Sequence, residues 1–110
     1  MSLTFKKSNN VAVLTDDLTA AKDFYSNVLN LPIEKEGDDE VILKTEDSLF
    51  YIIKHSNRTG PVLEFLVEDL EAARDHLIGN GCKIIKWEGK GKDCYLQDPF
   101  GVVFNLWEKS

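Results

Sequence analysis

Asp17-Leu18-Thr19-Ala20-Ala21 returns fifty-two positions later as Asp69-Leu70-Glu71-Ala72-Ala73. An aspartate directly ahead of an apolar-periodic run is a helix N-cap signal, and self-similarity at a fixed offset marks a repeated structural unit. The correspondence carries on, with Tyr25 falling on Leu77 and Ile33 on Ile85. Reading outward, Asn10 to Thr15 alternates as a strand, and Asp17 then caps a helix reaching Leu29. Leu18, Ala21, Tyr25, Val28 and Leu29 fall on one side of that helix, with Phe24 widening the stripe toward a sheet. Asn30-Leu31-Pro32 stops it, and three strands follow over Pro32 to Lys35, Glu40 to Thr45 and Leu49 to Lys54.

Asn57-Arg58-Thr59-Gly60-Pro61 is the one linker-like stretch, and the same order recurs after it. Val62 to Val67 is a strand, Asp69 caps a helix, and Gly79 and Gly81 end it. Strands at Lys83 to Trp87, Lys92 to Gln97 and Val102 to Trp107 complete the second half. The expected fold is α+β: two βαβββ modules in tandem, 9–56 and 61–108, within a single domain over 1–110. Each module has a curved mixed sheet around a concave cavity and one helix on the convex side.

The last module ends on Tyr95-Leu96-Gln97-Asp98-Pro99-Phe100-Gly101-Val102-Val103-Phe104-Asn105-Leu106-Trp107. Pro99 presets φ for a turn and Gly101 tolerates positive φ, so Asp98 to Gly101 is a tight connection between strands. Alternation then puts Val102, Phe104 and Leu106 on one greasy face and Val103, Asn105 and Trp107 on the other. An amide and an indole among apolar neighbours suit a ligand cavity, while an ordinary final hairpin is the plain structural alternative. Trp87 reads as core and Trp107 as the ligand contact.

With 43% hydrophobic and 29% charged residues, the composition is that of a soluble globular protein. No apolar run is long enough for a membrane span, and the N-terminus shows no apolar signal region, so a cytoplasmic protein is expected. A net charge of −6 with no basic stripe argues against nucleic acid. It agrees with a cationic ligand, although carboxylates at Asp16-Asp17, Glu34 to Glu40 and Glu68 to Glu71 also suit helix starts and turns. Cys82 and Cys94 are too far apart for a metal knuckle or a redox pair, and read as free thiols in strands, a cross-strand disulfide being the alternative.

Alternation in the sixty-second to sixty-seventh residues sends Leu63, Phe65 and Val67 toward the helix and aims Glu64, with Val62 and Leu66, into the concavity. A carboxylate there needs a partner, which Lys54, Lys92 or a cationic ligand could supply; an open rim in water is the alternative. Asn10, Ala12, Leu14, Val103, Asn105 and Trp107 join the same face, with Tyr51, Tyr95 or Gln97 at its rim. His55, beside the linker, reads as exposed, and His76 as a structural residue bordering the helix–sheet interface. No catalytic triad can be written.

Asp17-Leu18 with Ala21, Phe24-Tyr25, Leu29 and Leu31-Pro32, then Val67-Glu68-Asp69-Leu70 with Gly81, then Asp98-Pro99-Phe100-Gly101, together resemble the vicinal oxygen chelate superfamily. That group includes glyoxalase I, bleomycin-resistance proteins and extradiol dioxygenases. The resemblance runs from about Asn10 to Glu108 and speaks to fold more than to chemistry. It implies metal ligands at Asn10, Val62 and Asn105, with a fourth near Ile52. An amide is a poor substitute for imidazole or carboxylate, and valine and isoleucine coordinate nothing, so no metal and no cofactor are expected.

The sequence therefore reads as a metal-free small-molecule-binding protein of the bleomycin-resistance type. It would take an aromatic or cationic ligand at Asn10, Val62, Glu64, Asn105 and Trp107. The alternatives are a glyoxalase-like lyase or isomerase with a rearranged site and Glu64 as its base, or a purely structural domain. The resemblance further implies a homodimer whose two chains complete each cavity.

Overall fold

A computed structural model of the chain describes residues 3–56 and 58–109. Met1 and Ser2 of the leader, Asn57 of the linker and Ser110 lie outside the described residues. The two aspartates act alike. Asp17 Oδ1 accepts the Ala20 N–H at 3.0 Å and Asp69 Oδ1 accepts that of Ala72 at 3.0 Å, each satisfying a donor that the first helical turn leaves unpaired.

The elements follow the expected order twice, after a short leading strand. β1 is Lys6–Lys7; β2 (Val11–Thr15), α1 (Leu18–Asp23), β3 (Ile33–Glu36), β4 (Glu40–Lys44) and β5 (Leu49–Lys54) form one βαβββ module. β6 (Gly60–Val67), α2 (Leu70–Gly79), β7 (Lys83–Trp87), β8 (Cys94–Gln97) and β9 (Val103–Glu108) form the other. The fold is α+β, and the chain divides into two compact units, Asn9–Val62 and a second built from Leu63 onward with the residues before Asn9.

Within Asn9–Val62 the sheet is mixed. β2 runs parallel to β5 with Val11 opposite Phe50, while β3–β4 and β4–β5 are antiparallel, and the first residues of β6 pair with β2 through Ala12 and Val62. The core of this unit is Val41, Leu43 and Ile52, covered by Leu18, Ala21, Tyr25 and Leu31.

The helix stripe expected here needs correction. After Asp23 the backbone opens into a π-helix over Phe24–Val28, closed by the Leu29 N–H on the Phe24 carbonyl at 3.1 Å. Phe24, Val28 and Leu29 consequently stand 48%, 61% and 50% exposed, and Leu31 takes the inward place. The cause is a one-residue difference between the modules. Asp17 precedes the positive-φ residue Asn30 by thirteen positions, whereas Asp69 precedes Gly81, also at positive φ, by twelve. A π-turn absorbs one surplus residue without breaking the helix.

In the second unit β9 lies between β6 and β8, and β8 pairs with β7. Val67, Leu70, Ala73, Cys82, Cys94, Leu96, Phe104 and Leu106 form its core, with Leu63, Phe65 and Trp87 packed on it. The apolar faces of β6 and β9 thus meet α2 as their alternation requires. The leader is part of this unit: Lys6 and Lys7 pair with Leu66 and Phe65, and Phe5 packs on the core. With only two residues in β1, the segment offers no alternation from which a strand can be read in the sequence.

Candidate functional site

The face of the second unit turned away from α2 carries Glu64 on β6, Tyr95 and Gln97 on β8, and Val103, Asn105 and Trp107 on β9. Antiparallel pairing sets Tyr95 opposite Asn105 and Gln97 opposite Val103, so these four share one side. Trp107 is 39% exposed. Tyr95, read from the sequence as a rim residue, is 2% exposed.

Each polar group on this face is held by the backbone around it. Asn105 Oδ1 accepts the Cys94 N–H at 2.9 Å, and the Glu64 carboxylate receives the Ser8 hydroxyl at 2.7 Å. Ser8 is placed there by the leader, whose Ser8 N–H also donates to the Glu64 carbonyl at 3.0 Å. Glu64 is half-buried, and a neutral hydroxyl stands where Lys54, Lys92 or a bound cation is expected. A hydroxyl satisfies a lone pair without cancelling the charge.

In Asn9–Val62, Asn10 sits one residue ahead of β2, and its Oδ1 accepts the Leu49 N–H at 3.0 Å. Val62 is 2% exposed and paired with Ala12. Ile52 is fully buried. The two asparagines therefore do the same local work, each holding with its amide oxygen the N–H of the first residue of a neighbouring strand, Leu49 of β5 and Cys94 of β8.

Residues 7–106 match the family model described as the Glyoxalase/Bleomycin resistance protein/Dioxygenase superfamily. The chain belongs to that superfamily. No curated protein sequence matches it. Solved structures similar in fold include a hypothetical protein from Bacillus halodurans, 15% identical with a TM-score of 0.67 over 97% of this chain and 96% of that one. A variant of Streptomyces coelicolor methylmalonyl-CoA epimerase in complex with 2-nitronate-propionyl-CoA is 16% identical, with a TM-score of 0.66 over 97% of this chain and 100% of that one. Methylmalonyl-CoA epimerase from Mycobacterium tuberculosis is 19% identical, with a TM-score of 0.58 over 92% and 86%. At such identities the likeness is one of fold.

The metal that the superfamily resemblance implies finds no fit in the residues at its expected positions. Asn10 and Asn105 direct their amide oxygens to backbone N–H groups, and Val62 and Ile52 are buried hydrocarbon. Among the described residues, no three His, Cys, Asp or Glu side chains cluster so as to hold a metal ion. His55 is half-buried at the end of β5 rather than exposed, with its N–H on the Thr15 carbonyl at 2.8 Å. His76 is exposed on α2 and stacks on Phe5, ring centroids 6.2 Å apart. Cys82 and Cys94 are free, buried thiols, and burial raises the pKa of both. Cys82 lies just ahead of β7 rather than in a strand. Among the described residues, no helix is long and apolar enough to cross a membrane.

Sequence reasoning missed Ser8. Its only signal was its place beside Lys6 and Lys7, and that acquires meaning once β1 is known to lie along β6.

Proposed function

We propose that this member of the superfamily is a metal-free small-molecule-binding protein of the bleomycin-resistance kind. It holds an aromatic or cationic ligand in the cytoplasm as a homodimer whose second copy completes the cavity. The observation that carries this reading is the Ser8–Glu64 hydrogen bond: a neutral donor fixes a half-buried carboxylate without supplying a counter-charge, which suits a cationic ligand. Trp107, more than a third exposed on the outward face of β9, offers an indole surface for stacking. Asn105 orients that strand through Cys94.

The test is a fluorescence titration on a Trp87→Phe background, in which Trp107 is the single remaining indole, with planar organic cations and their uncharged isosteres. Saturable quenching by the cations, weakened about tenfold by Glu64→Gln, is the expected result, equivalent to about 1.4 kcal/mol. Equal quenching by charged and neutral members, or none, would overturn it. Sedimentation of the same samples reads the dimer.

A second reading draws on the fold neighbours bound to acyl-CoA molecules. In it the chain is an isomerase or lyase in which Glu64 moves a proton, with Ser8 fixing the carboxylate. Incubation with acyl-CoA thioesters in heavy water separates the readings. Deuterium uptake that Glu64→Gln abolishes supports catalysis, and its absence beside tight cation binding supports sequestration.

A further inference from the structure

Tyr25 and Leu77 hold equivalent places in the two modules, each eight residues after its capping aspartate. Phe50 and Phe104 are likewise equivalent, each the second residue of its module's last strand. In Asn9–Val62 the Tyr25 ring fills the space between helix and sheet, with its centroid 4.9 Å from that of Phe50. In the second unit a leucine stands where the phenol would be. There a cavity of about 310 Å³ opens, walled by Phe5, Leu63, Phe65, Leu77 and Phe104. The rings of Phe65 and Phe104 meet edge to face at 5.2 Å in its wall.

One end of this apolar space is charged. Asp98 lines it beside Cys82 and Val102, the last 44% exposed. Asp98 Oδ1 accepts the N–H groups of Phe100 and Val102, both at 2.9 Å, so the turn fixes the carboxylate. Those two bonds use about half of the roughly four acceptor positions of a carboxylate. The charge of Asp98 reaches the cavity wall, since it adds to burial in raising the pKa of Cys82.

We infer that this cavity on the α2 side of the second unit is a separate binding site for a small arylalkylamine, one aromatic ring with a protonated amine on a short chain. The ring occupies the volume that Tyr25 fills in the other module, and the amine pairs with Asp98. The size falls at the lower end of small-molecule sites, and the chemistry is that of apolar walls with one placed charge. The site lies on the opposite sheet face from Glu64, Asn105 and Trp107 and does not depend on the function proposed for them.

Cys82, in the cavity wall, supplies the readout. The full-length protein is alkylated with N-ethylmaleimide with and without 2-phenylethylamine, and labelling at Cys82 and Cys94 is followed separately by peptide mass mapping. A saturating amine slows Cys82 labelling about tenfold, since only the unoccupied fraction reacts, and slows Cys94, which is fully buried and reacts only when the fold opens, by no more than that. Leu77→Tyr fills the cavity and abolishes the protection. Should that variant fail to fold, Asp98→Asn keeps the turn acceptor and removes the charge. It is expected to lose protection by 2-phenylethylamine while retaining weak protection by 2-phenylethanol. Protection by 2-phenylethylamine that survives Asp98→Asn, or none at any soluble amine concentration, would overturn the assignment. So would protection of Cys82 that appears on raising protein concentration alone, which would make the cavity a contact between copies of this chain.

Discussion

The Ser8 hydroxyl donates a 2.7 Å hydrogen bond to Glu64 Oε1 across fifty-six residues of sequence. It ties the leader to the polar face of β6 and gives a half-buried carboxylate its neighbour. Removing the hydroxyl leaves an acceptor poorly satisfied, so Ser8→Ala is expected to cost about 1 kcal/mol by urea denaturation. The loss should largely vanish when Glu64 is already alanine, which removes the acceptor. A double-mutant cycle returning no coupling between the positions would show that the contact contributes nothing.

Asn105 holds the Cys94 N–H of the neighbouring strand, and Asn10 holds that of Leu49. Truncating either strands a partly buried donor, at an expected cost of about 1–3 kcal/mol for the alanine variants. Asn105→Asp retains an oxygen in place and should lose less than Asn105→Ala. If aspartate and alanine unfold at the same denaturant concentration, the amide oxygen is not what matters there.

How far the sequence discloses this molecule can be judged from such residues. The caps at Asp17 and Asp69 and the alternation in β6 and β9 depend on neighbours a few positions apart and are legible, and the fifty-two-residue echo holds as far as Tyr25 and Leu77, after which Asn30 falls against Gly81 at fifty-one. Glu64 faces away from the Leu63, Phe65 and Val67 side as its strand period requires. Its partner Ser8, and the donors that occupy Asn10 and Asn105, depend on which strands lie side by side and in what register. No local pattern encodes that. The π-turn is an intermediate case, because the extra residue before Asn30 is countable only once Asn30 is known to hold a φ of 59°.

That π-turn makes a testable distinction between adjacent aromatics. Tyr25 lies against Phe50 and the core of its unit, whereas Phe24 is about half exposed. Tyr25→Leu opens a gap like the one beneath Leu77 and is expected to cost about 2–4 kcal/mol. Phe24→Ser gives up only the edge-to-face contact of a half-exposed ring with Tyr25 at 5.3 Å and should cost less, about 1 kcal/mol. A uniform helix with Phe24 turned inward would reverse the order of the two melting temperatures.

Glu108 anchors the start of α2 from the last strand. Its carboxylate accepts the Leu70 N–H at 2.9 Å and pairs with Lys90 at 3.0 Å, and these contacts, the backbone bond foremost, hold its pKa below the ordinary 4.5. The folded chain therefore gives up this proton more readily than the unfolded one. The resulting stability is present above pH 4.5 and is lost as pH falls through the depressed folded value. Glu108→Gln should lower Tm at neutral pH, and its Tm curve should converge on that of the parent as the acid limb descends. Parallel curves would show that Glu108 does not contribute to the acid limb.

Two glycines at the end of α2 should answer oppositely to alanine. Gly81 sits at φ +101°, and a Cβ on it would lie 3.0 Å from Pro99 Cγ. Its N–H reaches the Ile78 carbonyl at 3.2 Å while that of Cys82 reaches Leu77 at 3.0 Å, the paired bonds of a helix stop that needs a left-handed residue. Gly79 is still helical, and nothing lies within 4 Å of where its Cβ would be. Gly81→Ala is expected to cost about 1–2 kcal/mol, from the left-handed backbone and the crowding against Pro99 together. Gly79→Ala should gain about 0.5–1 kcal/mol through helix propensity and a less mobile unfolded chain. Denaturation of both variants decides the matter, because a stable Gly81→Ala would mean that the helix stop tolerates a right-handed residue and that the Asp98–Gly101 turn yields to it.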